Sequence, residues 1–449
     1  MELLNNKEKK LHKAYLLTAL ILLGLGISWG IIGSFQYITP GLLKQHLSFE
    51  KIRPLHVSSV LFWIILSSVG TVLSYLHAVT GKKLFSLKLA YIHLFLFIIS
   101  TIGFYAAYLS GNFGGREYWE FPPFFALLII VGWILLIINF IRSIPSFKNQ
   151  SVYVWMWMTG ILFFLFTYLE SYLWIIPYFR NNLIGDLLIQ WKSNGSMVGS
   201  WNMLIYGSSI FLMEKISDNK KVGKSSIAFI LYFTGLFNLM FNWGHHIYTL
   251  PTSPYVQYIS YAVSMTELFI IGRIIFNWKN TLSTAQKNLH IISYRLLLSA
   301  DIWVFLTLVL AILMSIPGIN VFTHGTHITV AHTMGATIGI NSFILLATII
   351  DNSEDNCSNL KLYHNTLKKG IFLSNISLLV FWGSLIGAGI KKAIWQTADH
   401  QNSFGIMMQE LKPFFIVFLI AGVGLATGIF LLILPLIKMK INCIFKKEK

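Results

Sequence analysis

Three histidines and a methionine, His324, His327, His332 and Met334, stand in a stretch with no Asp, Glu, Lys or Arg between Asp301 and Asp351. Inside so apolar a run each imidazole must satisfy its ring nitrogens without water. Metal coordination is one way to do that. On a helix, ~100° per residue sets His332 and Met334 about 200° apart, so one helix offers an axial ligand to a planar iron cofactor on each of two opposite sides. Two hemes flanking this helix are the chemistry the spacing predicts. His327 lies about 500° before His332 on the same wheel and is the poorer partner for Met334.

Two further places carry ligand-type residues. In Asn242-Trp243-Gly244-His245-His246-Ile247-Tyr248 the adjacent imidazoles can reach one ion only if the backbone opens, and Pro251 and Pro254 suit a helix end there. The alternative is an interfacial polar pair facing water. His56, in Arg53-Pro54-Leu55-His56, stands at the mouth of another apolar run, with Arg53 placed to pair with heme propionates. Taken alone, His56 also reads as an ordinary helix-end residue.

The elements that must hold these residues follow from composition. Of 449 residues 55% are hydrophobic and 11% charged, with a mean hydropathy of +0.66, which places the chain in a membrane. The formal charge of +17 suggests nucleic acid only superficially. The basic residues cluster between apolar runs, as a topology signal would have them, and no soluble basic domain exists to bind nucleic acid. Cys357 and Cys443 form neither a zinc pair nor a heme-attachment motif, so no covalent heme c is expected. The first apolar run follows Lys7, Lys9, Lys10 and Lys13 without a convincing cleavage site and reads as a retained helix.

A spanning helix needs ~20 apolar residues, and about twelve runs qualify. They centre on 14–35, 55–79, 88–109, 121–143, 150–176, 194–215, 225–248, 254–277, 290–316, 324–350, 366–390 and 410–437. Connections are short, so residues 1–449 read as one all-α membrane domain. With the amino terminus inside, about 25 of the 34 Lys and Arg fall on the cytoplasmic side and about 9 outside, which predicts cytoplasmic termini in a bacterial inner membrane. Under this topology His56, Asn194, His245, His246 and His332 all fall toward the outer face, at similar depth. One shared site accounts for that better than separate buried histidines.

The motifs also carry a resemblance. Arg53-x-x-His56, Gly115-Arg116-Glu117-Tyr118-Trp119-Glu120-x-Pro122, Gly244-His245-His246, Ser264-Met265-Thr266-Glu267 and Thr323-His324-Gly325-Thr326 with Ala331-His332 occur in one order. That order resembles the catalytic large subunit of cytochrome-c-dependent nitric oxide reductases, over all twelve runs and including Glu410. That subunit is of the heme-copper oxidase superfamily, and the chain also looks like the C-family oxidases around His56 and Trp191. The resemblance implies the twelve-helix bundle of subunit I. It makes His56 the low-spin heme b ligand and His332 the proximal ligand of a high-spin heme b. His245 and His246 become ligands of a non-heme metal, with iron preferred over copper. Glu267 matches a carboxylate near the metal centre, and Glu117 a calcium-binding glutamate between heme propionates.

The chain departs from that pattern in two regions. Met334 stands where the family has a second histidine, so it either ligates the low-spin heme at an altered potential or simply packs. In the sixth run, aligning Gly199 and Trp201 puts Asn194 at the first metal-histidine position, Val198 at a metal-binding glutamate and Asn202 at a nearby acid. Aligning Trp191 instead puts Gly195 at the histidine position. An amide oxygen from Asn194 is a neutral and weaker donor, so the metal site is looser or holds another metal. Loss of the glutamate also removes a proton carrier.

Glu267, Glu170 and Asp301 are intramembrane acids, the first two candidates for a proton route and Asp301 a partner for Arg295. The resulting expectation is a nitric oxide reductase-like catalytic subunit, fed by a separate cytochrome c subunit and acting on a small gaseous substrate. Oxygen reduction, nitric oxide dismutation and a degenerate heme-binding subunit or sensor are the competing readings. A polytopic transporter leaves the ordered ligands unexplained.

Overall fold

A backbone in lipid can satisfy its N–H and C=O groups only within its own segment, so apolar runs of this length become helices. The computed structural model describes residues 6–266, 278, 280, 282–356, 360–398 and 402–445. Its long helices are α1 (Asn6–Ile38), α2 (Phe49–Thr80), α3 (Leu87–Leu109), α4 (Phe124–Ser143), α5 (Val152–Glu170) and α6 (Leu183–Ser217). They continue with α7 (Ser226–Phe241), α8 (Pro254–Ser264), α9 (Ile291–Ser315), a composite α10, α11 (His364–Thr397) and α12 (Phe404–Phe445). α10 consists of His327–Met334, a π-helical turn at Gly335–Ser342, and Phe343–Asn356. Among the described residues no β-strand occurs.

Ten of the described helices are long and apolar enough to cross a membrane. Of the twelve expected runs, the sixth and the eighth are not among the ten. Asp186, Gln190 and Lys192 dilute α6, which begins eleven residues before the predicted 194. The eighth run, predicted over 254–277, is described only in part. The tenth run starts at His327 rather than the predicted 324. Gly325 has φ +70°, and Thr326 caps the helix by accepting from the Ile328 amide at 3.2 Å.

α2 lies at the centre and is buried on nearly every face, with α1, α6 and the last part of α10 packed round it. Small residues bring the last two helices together. A Cβ on Gly428 would meet the Ser374 amide nitrogen at 2.7 Å, and one on Gly370 would meet the Gly428 carbonyl oxygen at 2.9 Å. Backbones this close gain van der Waals contact that larger side chains would forbid. Gly428→Val should therefore cost about 1–3 kcal/mol through overpacking and lower the thermal midpoint in detergent. Gly383→Val, where a Cβ meets nothing within 4 Å, should leave the midpoint unchanged.

Candidate metal and heme centre

α7 ends at Phe241, and the chain continues as a 3-10 turn over Asn242–Ile247, so the backbone does open where the paired imidazoles stand. The His245 and His246 ring centroids are 4.2 Å apart with planes inclined by 41°. Each ring is held from a different side. Asn242 Oδ1 accepts from His245 Nδ1 at 2.9 Å and from the Ser264 hydroxyl, while Trp191 stacks on His246 at 5.1 Å with planes 9° apart. With the hydrogen on Nδ1, the Nε2 lone pair of His245 is left to coordinate. Asn320 Nδ2 donates to the His245 carbonyl at 3.1 Å and ties the turn to the short helix Pro317–Thr323.

α6 closes on the same turn, since a Cβ on Gly195 would lie 2.8 Å from Trp243 Cβ. Its neighbour Asn194 is 4% exposed, and its Nδ2 has no hydrogen-bond partner. That nitrogen is a donor, so it calls for an acceptor rather than for a cation. Among the described residues, no three His, Cys, Asp or Glu side chains cluster closely enough to hold a metal.

His56 is fixed by α1. Its Nδ1 donates to the Gly26 carbonyl at 2.7 Å, and a carbonyl can only accept, so Nε2 keeps its lone pair. His332 Nδ1 lies buried beside the Thr307 backbone without closing a hydrogen bond. Met334 is half-buried and packs against the main core. His327 sits edge-on to Phe415 of α12 at 5.3 Å. His56, His245, His246 and His332 are partly buried. The Nε2 lone pairs left on His56 and His245 suit iron or another metal as ligands.

The segment 114–120 brings the acids forward. The Glu120 carbonyl accepts from the Gly114 and Gly115 amides at 3.1 and 3.2 Å, and Tyr118 adopts φ +77°. A Cβ on Gly115 would lie 1.6 Å from the Trp119 carbonyl oxygen, so the turn needs glycine there. Arg53 then bridges two carboxylates, Glu117 at 2.9 Å and Glu120 in a second ion pair. Burial raises the Glu120 carboxyl above its ordinary value, opposed by Arg53, and pushes the Tyr118 hydroxyl up to about 12. Arg116 pairs with Asp186 at 2.7 Å and lies over Trp174. A cavity of about 10 Å³, room for one water, touches both Glu117 and Asn194 and so joins this segment to α6. Glu170 is ion-paired with Lys192, which favours a structural role for it. Glu267 lies outside the described residues. Asn242, Asn320 and the Trp191 stack were not assigned from sequence, because an amide has no spacing rule that marks it as a support for histidine.

Arg53→Ala would leave Glu117 and Glu120 without their shared cation, and the Glu120 carboxyl should rise further. A carboxyl raised in the folded state stabilises below its unfolded value, and that contribution is lost as pH rises through the folded value. The deficit in thermal midpoint of the variant against the parent should therefore widen from pH about 4 to about 7. A deficit independent of pH would show that the bridge carries no charge role.

Residues 10–424 match the family model described as cytochrome c and quinol oxidase polypeptide I. The chain is 21% identical to a cytochrome c oxidase subunit 1 homolog of Agrobacterium tumefaciens (strain T37), over 90% of this chain and 79% of that one. It is 22% identical to a nitric oxide reductase subunit of Stutzerimonas stutzeri, over 93% and 92%. A solved heme-copper terminal oxidase dimer shares the fold, with a TM-score of 0.76 and 15% identity over 99% of this chain and 85% of that one.

Proposed function

Because this chain belongs to the cytochrome c and quinol oxidase polypeptide I family, and so to the oxidoreductases of the heme-copper oxidase superfamily, we propose that it is a nitric oxide reductase-like catalytic subunit. It would span a bacterial inner membrane twelve times with both termini cytoplasmic, and take electrons from a separate cytochrome c subunit. The observation that carries this reading is the His245–His246 turn, one ring oriented by Asn242 and the other stacked on Trp191.

A low-spin heme b, a high-spin heme b and a non-heme metal, iron rather than copper, would supply electron storage and adjacent coordination positions for two molecules of a small nitrogen oxide. His56 would offer Nε2 to the first heme because Gly26 holds its other nitrogen, and Met334 is the further candidate ligand. His332 is the proximal candidate for the second heme. His245, His246 and Asn194 would hold the metal, the two imidazoles on a turn whose geometry is fixed in advance. Arg53 would pair with heme propionates, and Glu117 would hold a calcium ion beside them. Glu267 is assigned to proton delivery. Val198, aliphatic where the nitric oxide reductases carry a carboxylate, leaves the metal without an anionic ligand.

That same loss, together with the likeness to a cytochrome c oxidase subunit 1 homolog, favours oxygen reduction or nitric oxide dismutation as the second reading. A chain with hemes but less than one non-heme metal would be a degenerate subunit. Purified protein should show two hemes b per chain by pyridine hemochrome, and nitrous oxide should appear after nitric oxide is added to the reduced protein. Oxygen in place of nitrous oxide would select dismutation, and absence of heme absorbance would end the proposal. Asn242→Ala, which frees the His245 ring, should weaken metal affinity about 10–100-fold in a titration with ferrous ion. An unchanged affinity would show that the Asn242 contact does not prepare His245 as a ligand.

A further inference from the structure

The cavity beside the segment 114–120 is lined by Arg116, Glu117, Trp119 and Trp174 together with Ser193 and Asn194 of α6. Four buried nitrogens of these residues have no hydrogen-bond acceptor: Arg116 Nε, Trp119 Nε1, Trp174 Nε1 and Asn194 Nδ2. Trp119 is 2% exposed and Asn194 4%, so water outside the protein does not serve them. The indole and guanidinium nitrogens can only donate, and no rotation of the side chain changes that. An open indole N–H means little by itself, since Trp201 and Trp382 also have one. Here, three residues with donor-only nitrogens and a fourth with an open amide border one small space.

The donors are held in place by contacts made elsewhere. Arg116 Nη2 donates to Asp186 at 2.7 Å, and the guanidinium lies 4.9 Å from the centre of the Trp174 ring. Trp119 meets Tyr168 edge-on at 4.9 Å, with planes 84° apart. Possible acceptors nearby are engaged otherwise. Glu117, the one acid in the lining, has Oε1 on Arg53 at 2.9 Å, and the Ser193 hydroxyl donates to the Gln190 carbonyl at 3.2 Å. A water accepts two hydrogen bonds and brings two hydrogens that need acceptors of their own, so it leaves at least two of the four donors open. A monatomic anion accepts from all four and brings none. Fixed N–H groups that converge without an acceptor, one of them on a cation, are the chemistry of anion recognition.

We propose that this cavity binds a single halide ion, chloride in the cell's surroundings, through the N–H groups of Arg116, Trp119, Trp174 and Asn194. The site does not rest on the oxidoreductase reading, because none of its donors needs a heme or a metal. Arg116 supplies the positive charge. The indoles supply directed donors in walls that exclude water, where a hydrogen bond to an anion is stronger than in solvent. The cavity admits one monatomic ion and is too small for a polyatomic anion to turn freely. With Nδ2 committed to the ion, the Asn194 amide has one orientation, so the halide also decides which way its oxygen faces.

Equilibrium dialysis of the full-length protein in detergent against radiolabelled chloride should show one saturable ion per chain, displaced by bromide. The double variant Trp119→Phe with Trp174→Phe keeps both aromatic rings and removes two donors, so its affinity should fall about 100-fold. Trp174→Phe alone, at a partly buried position, should fold like the parent and weaken binding about 10-fold, which keeps the test open if the double variant is unstable. In crystals grown with bromide, the anomalous peak should lie within hydrogen-bond distance of Trp119 Nε1 and Trp174 Nε1. No saturable binding by the parent would overturn the site. So would an affinity that both variants leave unchanged, which would mean an adventitious ion only, or a water or heme propionate found on the two indole nitrogens. A parent protein that lacks heme and still binds chloride would end the functional reading and leave this site standing.

Discussion

An imidazole inside an apolar bundle must have its hydrogen assigned to one nitrogen, and that assignment is made by the group it faces. Everything proposed for the centre depends on two such contacts. Gly26 gives its carbonyl to His56, and Asn242 gives its side-chain oxygen to His245. Each contact leaves the outer nitrogen basic. The Gly26 contact joins α1 to α2, so those two helices cannot slide without losing it, whereas the Asn242 contact is made within the 242–247 turn and fixes the ring locally. His332 lacks an equivalent closed contact, and its orientation comes from the course of α10 itself.

The outer cluster solves a related problem with charge. Two carboxylates brought together on a turn as tight as 114–120 would repel, and Arg53 from α2 lies between them. Because Arg53 is three residues from His56, the same helix turn that presents the imidazole also neutralises the acids. The cavity shared by Glu117 and Asn194 carries this coupling across to α6.

Much of the architecture was legible because lipid imposes a simple rule, that length and hydropathy dictate a helix. The ligand candidates were legible where a residue type is costly in an apolar run, as with His56, His245, His246 and His332. α6 shows where the rule weakens. Its first turns, with Asp186, Gln190 and Lys192, are polar and only partly buried, and hydropathy alone places the start of the helix too late. The contacts of Asp351 with Tyr75 and Lys215 span 276 and 136 residues, and no local pattern marks them. In the sequence Asp351 marks only the end of a run. Trp191 illustrates the same limit, since its stack on His246 exists only once α6 and the 242–247 turn are assembled.

The π-helical turn at Gly335–Ser342 interrupts α10 between its ligand-bearing start and its polar lower half. Each residue gained in such a turn advances the wheel by about 100°, so the two halves of α10 obey different phases. A heptad or helical-wheel projection drawn through the entire segment would assign Thr348 and Asp351 to the wrong side. Removing one residue from this turn would leave the apolar content of the helix intact and still swing His332 away from its neighbours. Substitution tolerance mapped above Gly335 therefore carries no information about the positions below Ser342.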